Sequence, residues 1–254
     1  MPPVIPQMIH YCWFGHKPLP NRFLQYLDSW HTAMPNRPIK EWNEANTPHA
    51  PYIINALHAK NWSKAANYAR FYALQQYGCI YLAVDVQLVR NLTPLLAEDF
   101  IAAFETEEHV GTAVIASKPH HPLTDECLTE LTESFSGTEQ VPSSVIVLTA
   151  VMKRHGLLPD HGSPQRLADA TILPKRFFYP YSFTEHFKAE CVSTETYAIH
   201  HWAMTWQSSQ QCIRMGLRRS FLLVFLFRQL RRILTAILGL LNHRKKKGAH
   251  KKTN

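Results

Sequence analysis

Four short stretches of this chain carry side chains capable of chemistry. Asp85 closes the apolar run Cys79-Ile80-Tyr81-Leu82-Ala83-Val84. A carboxylate there can bind a divalent ion that bridges a diphosphate, because hard cations take oxygen ligands. The competing reading of a lone strand-end aspartate is a turn former. In Asn67-Tyr68-Ala69-Arg70, Asn67 and Arg70 are spaced to share one helix face. A buried arginine in that place serves either a phosphate or ribose group or a structural carboxylate. His10-Tyr11-Cys12-Trp13-Phe14-Gly15 supplies aromatics that either stack on a nucleobase or pack a strand end into the core. Last come His200-His201-Trp202 and Trp206. Neighbours on a strand face opposite ways, so only one of the two histidines can enter a site.

These residues need elements to hold them. Val4 to Phe14 reads as a buried strand, and an apolar-periodic helix follows from Asn21 to Ala33. Ile39 to Trp42 reads as a second strand and Tyr52 to Lys60 as a second helix. Ser63 to Tyr77 is a strong helix, with Ser63 as its N-cap and Gly78 as its stop. Cys79 to Val84 is then a buried strand that delivers Asp85 to its end. Further strands are expected at Phe100 to Phe104, Thr112 to Ala116 and Tyr197 to His201. Further helices are expected at His121 to Phe135 and Ser143 to Arg154. Alternating strands and helices predict an α/β layer structure with a mostly parallel central sheet. Ligands of such sheets bind outside the carboxyl ends of the strands, where Asp85 and His201 fall.

The composition bounds the partners. The chain has 254 residues and a formal net charge of +8, enough for one sizeable core. Twelve of the 27 Lys and Arg, and none of the 19 acids, lie from Thr196 onward, leaving 15 bases against 19 acids before it. The positive charge therefore belongs to the tail and calls for an anionic partner. The five cysteines are scattered and form no C-x-x-C pair, which points to reduced thiols in a cytosolic setting. The opening residues lack a charged segment followed by an apolar one, so no signal peptide is expected.

Read in series, several motifs resemble glycosyltransferase family 32, the sugar transferases grouped by a D-x-D motif. They are I-P-Q-M-I-H-Y-C-W-F-G (5–15), S-W (29–30), K-E-W-N-E (40–44), N-Y-A-R-F-Y-A-L-Q-Q-Y-G-C-I-Y-L-A-V-D-V (67–86), H-P-L (121–123), F-Y-P (178–180) and Y-A-I-H-H-W (197–202). The bacterial polysaccharide-type members match best; yeast-type initiating mannosyltransferases and the large glucosylating toxins are related. The resemblance implies a Rossmann-like GT-A domain over residues 1–210 and a retaining transfer from a nucleotide-sugar donor to a saccharide acceptor, of the surface or capsular polysaccharide type. It also implies a divalent metal, manganese most often, or magnesium. By position, Tyr11 and Trp13 match the base-binding aromatics. Arg70 matches an arginine beside the donor phosphates, with Asn67 at the ribose, and Tyr81 and Ala83 lie on the donor strand. Asp85 matches the metal-binding aspartate, with His201 as a second ligand, and His201 with Trp206 matches a segment closing over the diphosphate. Asp85 and Arg70 are the expected catalytic pair.

The chain departs from that pattern at the donor site. Asn67 replaces an aspartate, and Ala83 replaces the first aspartate of D-x-D. Val141-Pro142-Ser143-Ser144 and Met204-Thr205 stand where other small motifs are usual. Losing one of two acids predicts impaired turnover, since misplacement at a reacting centre costs on the order of 100-fold. The same departures suit an inactive relative that binds a nucleotide sugar or a partner enzyme.

The tail, 211–254, reads as a separate basic segment. Phe221 to Leu241 is apolar but interrupted by Arg228, Arg231 and Arg232. Each arginine would cost roughly 2.5–3.5 kcal/mol at a bilayer centre, which argues against a spanning helix. Wound as a helix, Arg228, Arg232, Thr235 and Asn242 form one polar stripe away from the leucines and isoleucines. With Arg218, Arg219 and Arg244-Lys245-Lys246-Lys247 flanking it, the segment is expected to lie on an anionic membrane surface at the cytoplasmic inner face. The alternative is a helix packed on its own domain or on a second copy. The acidic body and the large apolar face weigh against nucleic acid as the partner.

Overall fold

Period-two alternation of apolar side chains gives this chain a sheet with two buried faces. The computed structural model describes residues 4–133 and 142–203. Strands β1 (Ile9–Cys12), β2 (Ile39–Trp42) and β3 (Cys79–Leu82) lie side by side in parallel, with Ile9 opposite both Ile39 and Ile80. Along β3, Cys79 and Tyr81 face one core while Ile80 and Leu82 face the other. The first core is covered by helices α2 (Pro51–His58), α3 (Trp62–Tyr77), α4 (Pro122–Glu133) and α5 (Ser144–Arg154). The second is covered by α1 (Asn21–Ala33). Its closing pieces are β4 (Val86–Leu88) and β9 (Ala198–His200), which pair as an antiparallel ribbon.

The α/β class is as expected, but the sheet is mixed rather than mostly parallel. Adding β5 (Phe100–Ala103), β6 (Val114–Ser117), β7 (Gln165–Leu167) and β8 (Ala170–Leu173), the seven strands run in the order β2-β1-β3-β6-β5-β8-β7. The β1–β2, β1–β3 and β5–β8 pairings are parallel, and β3–β6, β5–β6 and β7–β8 are antiparallel. The cause is connection length. A parallel return needs a crossover of a dozen or more residues. The link from β5 to β6 instead doubles back at once, closed by the Phe104–Val110 bridge. The β7–β8 link turns at Ala168, which adopts φ 45°. Neither that hairpin nor β4 was expected from the sequence.

Helix ends explain most of the remaining boundaries. The first strand shortens to Ile9–Cys12 because the amides of Val4 and Ile5 bond to the Leu96 carbonyl instead of joining the ladder. Asn61, not Ser63, caps α3 by accepting a bond from the Lys64 amide at 3.2 Å. Gly78 stops that helix as expected. It adopts φ 51°, and a Cβ there would meet the Pro119 nitrogen at 2.3 Å, so both its backbone and its space demand glycine.

A buried histidine sets the pH response of this sheet. The His10 ring is fully buried and its Nδ1 accepts a hydrogen bond from Trp42 Nε1 at 2.7 Å. Burial, with Lys40 nearby, lowers its pKa to about 4. The native state thus refuses a proton that the unfolded chain takes up near the ordinary value of 6.5. The stability contributed by His10 is full above that value and is lost as pH falls towards 4. In denaturant unfolding across this window, His10→Gln should show a shallower loss than the parent chain.

Candidate functional site

The loop leaving β3 carries Asp85 to the carboxyl edge of the sheet and buries it there, at 8% exposure. Its Oδ2 accepts the Ala203 amide at 2.8 Å, and its Oδ1 lies 3.3 Å from His200 Nε2. Its own carbonyl accepts the His201 amide at 2.8 Å. Burial alone would raise the Asp85 pKa. The His200 ring and the Ala203 amide outweigh that and hold it at about 2, so the group is a carboxylate. His200 is wedged in turn between Tyr179, edge-on at 5.6 Å, and Trp202 at 4.2 Å, and its Nδ1 is buried with no hydrogen-bond partner among the described residues.

Arg70 occupies the opposite core face, on α3. Its Nη1 donates to Thr112 Oγ1 and to Ser144 Oγ, each at 2.6 Å, and its Nη2 reaches Tyr81 Oη at 3.4 Å. Its guanidinium lies 4.6 Å from the centre of the Tyr81 ring. Ser144 Oγ also donates to Asn67 Oδ1 at 2.9 Å. Arg70 is only 8% exposed, and no ion pair involves it among the described residues. The structural-carboxylate reading of Arg70 is therefore not realised. Glu105, just past β5, feels Arg70 electrostatically; burial raises its pKa, against the pull of His200 and Arg70. A buried cation held by neutral hydroxyls carries a cost that an anion would relieve, since an uncompensated buried charge is unfavourable.

The other expected site residues fall in several places. Trp13 follows β1 and stays partly exposed, tilted against Phe23 at 5.9 Å, with its Nε1 donating to the Lys17 carbonyl. Tyr11 is buried on the α1 face. It touches Trp30 edge-on, and its hydroxyl is given to Glu41 at 2.6 Å, so it stands on the other side of the sheet from Arg70. Ala83 is partly buried and bonds through its amide to the Ala113 carbonyl. Trp206 lies outside the described residues.

The expected metal pair of Asp85 and His201 shares no side-chain bond among the described residues, although Asp85 draws the His201 pKa up against the lowering effect of burial. The His201 ring stacks on Tyr26 at 4.6 Å, and its Nε2 sits 3.0 Å from Gln87 Oε1. His200 is the histidine that meets Asp85, because Val86 pairs with His200 in the ribbon. No group of three or more His, Cys, Asp or Glu side chains is placed to hold a metal among the described residues. With Ala83 in place of a second acid and each Asp85 oxygen already holding a partner within the protein, the residues present do not fit a two-acid site for a divalent cation. Sequence reading missed His200, Thr112, Ser144 and Glu105. For His200 the signal was present in the two-histidine alternation, but not its phase.

Comparison with known proteins gives this geometry a context. The family profile described as the glycosyltransferase sugar-binding region containing the DXD motif matches residues 20–101. The alpha 1,4-glycosyltransferase conserved region matches residues 116–219. A human alpha-1,4-N-acetylglucosaminyltransferase is 28% identical over 170 residues, 63% of this chain. The chain spans about half, 49%, of the length of that relative. Among solved structures, the PaToxG glycosyltransferase superposes with a TM-score of 0.52 at 13% identity, over 60% of this chain and 69% of its own. The galactosyltransferase LgtC, solved with donor and acceptor sugar analogues, gives 0.42 at 13% identity, over 84% and 95%. The first of these shows the fold, the GT-A type of α/β domain.

The anion seat at Arg70 can be tested with the simplest probe. Replacing Arg70 by Met keeps the length and removes the charge, while Thr112 and Ser144 still bond each other at 2.9 Å. Pyrophosphate affinity measured by calorimetry should fall at least about tenfold, the size of one lost charge-assisted bond. The unfolding free energy should change by less than about 1 kcal/mol or rise, because an uncompensated buried cation is removed.

Proposed function

We propose that this chain, which belongs to the glycosyltransferases with the DXD-type sugar-binding region, binds a nucleotide sugar at the carboxyl edge of β3 and moves its sugar to a saccharide acceptor. The observation that carries the reading is Arg70, buried with no ion-paired acid among the described residues and bonded through Ser144 to Asn67. In this reading Arg70 meets the donor phosphates, Asn67 hydrogen-bonds a ribose hydroxyl, and the exposed part of Trp13 stacks on the base. Transfer proceeds with retention, the acceptor entering on the face from which the diphosphate leaves, so no side chain is assigned as a general base.

Glycosyltransferases of the DXD type generally use a divalent metal, and this donor set departs from theirs. An alanine at position 83 leaves one acid where two would steady the leaving diphosphate. Turnover in the chain as it stands is therefore slow. Ala83 also favours a second reading, a non-catalytic relative that holds a nucleotide sugar or a partner enzyme. The human relative's name makes UDP-N-acetylglucosamine the first donor to try, within a panel of UDP- and GDP-sugars. The acceptor class is a surface or capsular polysaccharide, and the basic tail after Glu195 holds the protein at the cytoplasmic face of an anionic membrane.

Two experiments test these readings. Ala83→Asp places a second carboxylate two positions before Asp85, and each Asp85 oxygen keeps a free lone pair. Donor hydrolysis in Mn²⁺ should rise at least about 100-fold. Turnover by the parent chain at about 1 per second or faster would overturn the slow-enzyme reading, and no gain across the donor panel would favour the binder. For the tail, the full chain should co-sediment with anionic vesicles and release as salt rises, whereas a chain ending near Gln211 should not. Equal sedimentation of the two removes the membrane assignment.

A further inference from the structure

We propose that this chain binds the nucleotide diphosphate without a divalent metal, and that Asp85 is a clasp holding the C-terminal strand rather than a metal ligand. The proposal rests on the donor reading above and concerns how that same site handles charge.

Three observations carry it. Each Asp85 oxygen already has a partner within the protein, the Ala203 amide at 2.8 Å for one and His200 Nε2 at 3.3 Å for the other. The backbone repeats the same attachment, with the Asp85 carbonyl taking the His201 amide and Val86 pairing with His200. One buried residue thus fastens three positions, 200, 201 and 203, to the end of β3. Second, the place where another acid would share a cation holds Ala83, packed among apolar residues of both cores. Third, the site keeps a positive charge of its own. Arg70 is buried and, among the described residues, bonded only to hydroxyls, so the charge that a cation would bring to the diphosphate is partly supplied by a guanidinium. An arginine fork also suits phosphate geometry.

The two roles of Asp85 make opposite predictions for the metal-free protein. A carboxylate kept for a metal is a burden when the metal is absent, so neutralising it leaves stability unchanged or higher. A clasp loses its charge-assisted bonds, which are the strong ones. In EDTA, Asp85→Asn should lower the Tm of the full chain by about 3 °C or more. His200→Gln should lower it too, and should lower it less in the Asp85→Asn background, since the two share one bond. An unchanged or raised Tm for Asp85→Asn, or full additivity of the pair, overturns the clasp.

Calorimetry with UDP and GDP, first in excess EDTA and then in excess Mn²⁺, tests the charge handling. The dissociation constant should differ by less than about tenfold between the two conditions. Binding tightened about tenfold or more by Mn²⁺ overturns metal-free recognition. If neither nucleotide binds in either condition, the donor reading itself falls, while the stability arm still decides the role of Asp85.

Discussion

Burying a guanidinium against hydroxyls instead of a carboxylate is the constraint on which the α3–α5 side of this molecule turns. Arg70 draws one partner from β3 (Tyr81), one from the residues entering β6 (Thr112) and one from the first turn of α5 (Ser144). Those partners are far apart in the chain, and each is itself held: Thr112 and Ser144 bond each other, and Ser144 bonds Asn67. An unfilled bond in so dry a place would cost about 1–3 kcal/mol. The β6 insertion, which makes the sheet mixed, is what delivers Thr112 to this point. The topology and the burial of Arg70 are thus two descriptions of one arrangement.

The two faces of the sheet divide the labour. The α3–α5 face holds the cation, whereas the α1 face receives the ribbon that β4 and β9 form. Asp85 stands at the junction, one residue before β4. Trp30 adds to that side by giving its Nε1 to the Val86 carbonyl at 2.8 Å. Tyr11 shows how firmly the faces are assigned: its ring follows the alternation to the α1 side, and its hydroxyl goes to Glu41 across the strand pair.

Much of this was legible in the residues. The bounds of α1 and β2 agree with their sequence reading, because α1 has a clear apolar period and Pro38 fixes the start of β2. Arg70 and Asp85 were legible as singular polar groups in apolar elements. What could not be read was set by distance. Thr112 and Ser144 lie 42 and 74 positions from Arg70, and hydroxyls at such separations leave no local pattern. The β7–β8 hairpin was missed because Gln165-Arg166-Leu167 has only one buried apolar residue. The choice between His200 and His201 depended on ribbon register, which no local spacing encodes.

The Asp85 clasp also has a place in time. Its Ala203 partner lies 118 residues further along the chain. At about 5–20 residues per second of synthesis, Asp85 waits about 6–24 seconds for that amide to be made. Through that interval β1, β2 and β3 can pair and bury their apolar rows, but the aspartate must stay hydrated. The edge of the nascent sheet is therefore kept open to water until the last described strand arrives. Completion of the ribbon then converts a solvated acid into a structural one, making closure of this edge among the latest events in the maturation of the domain.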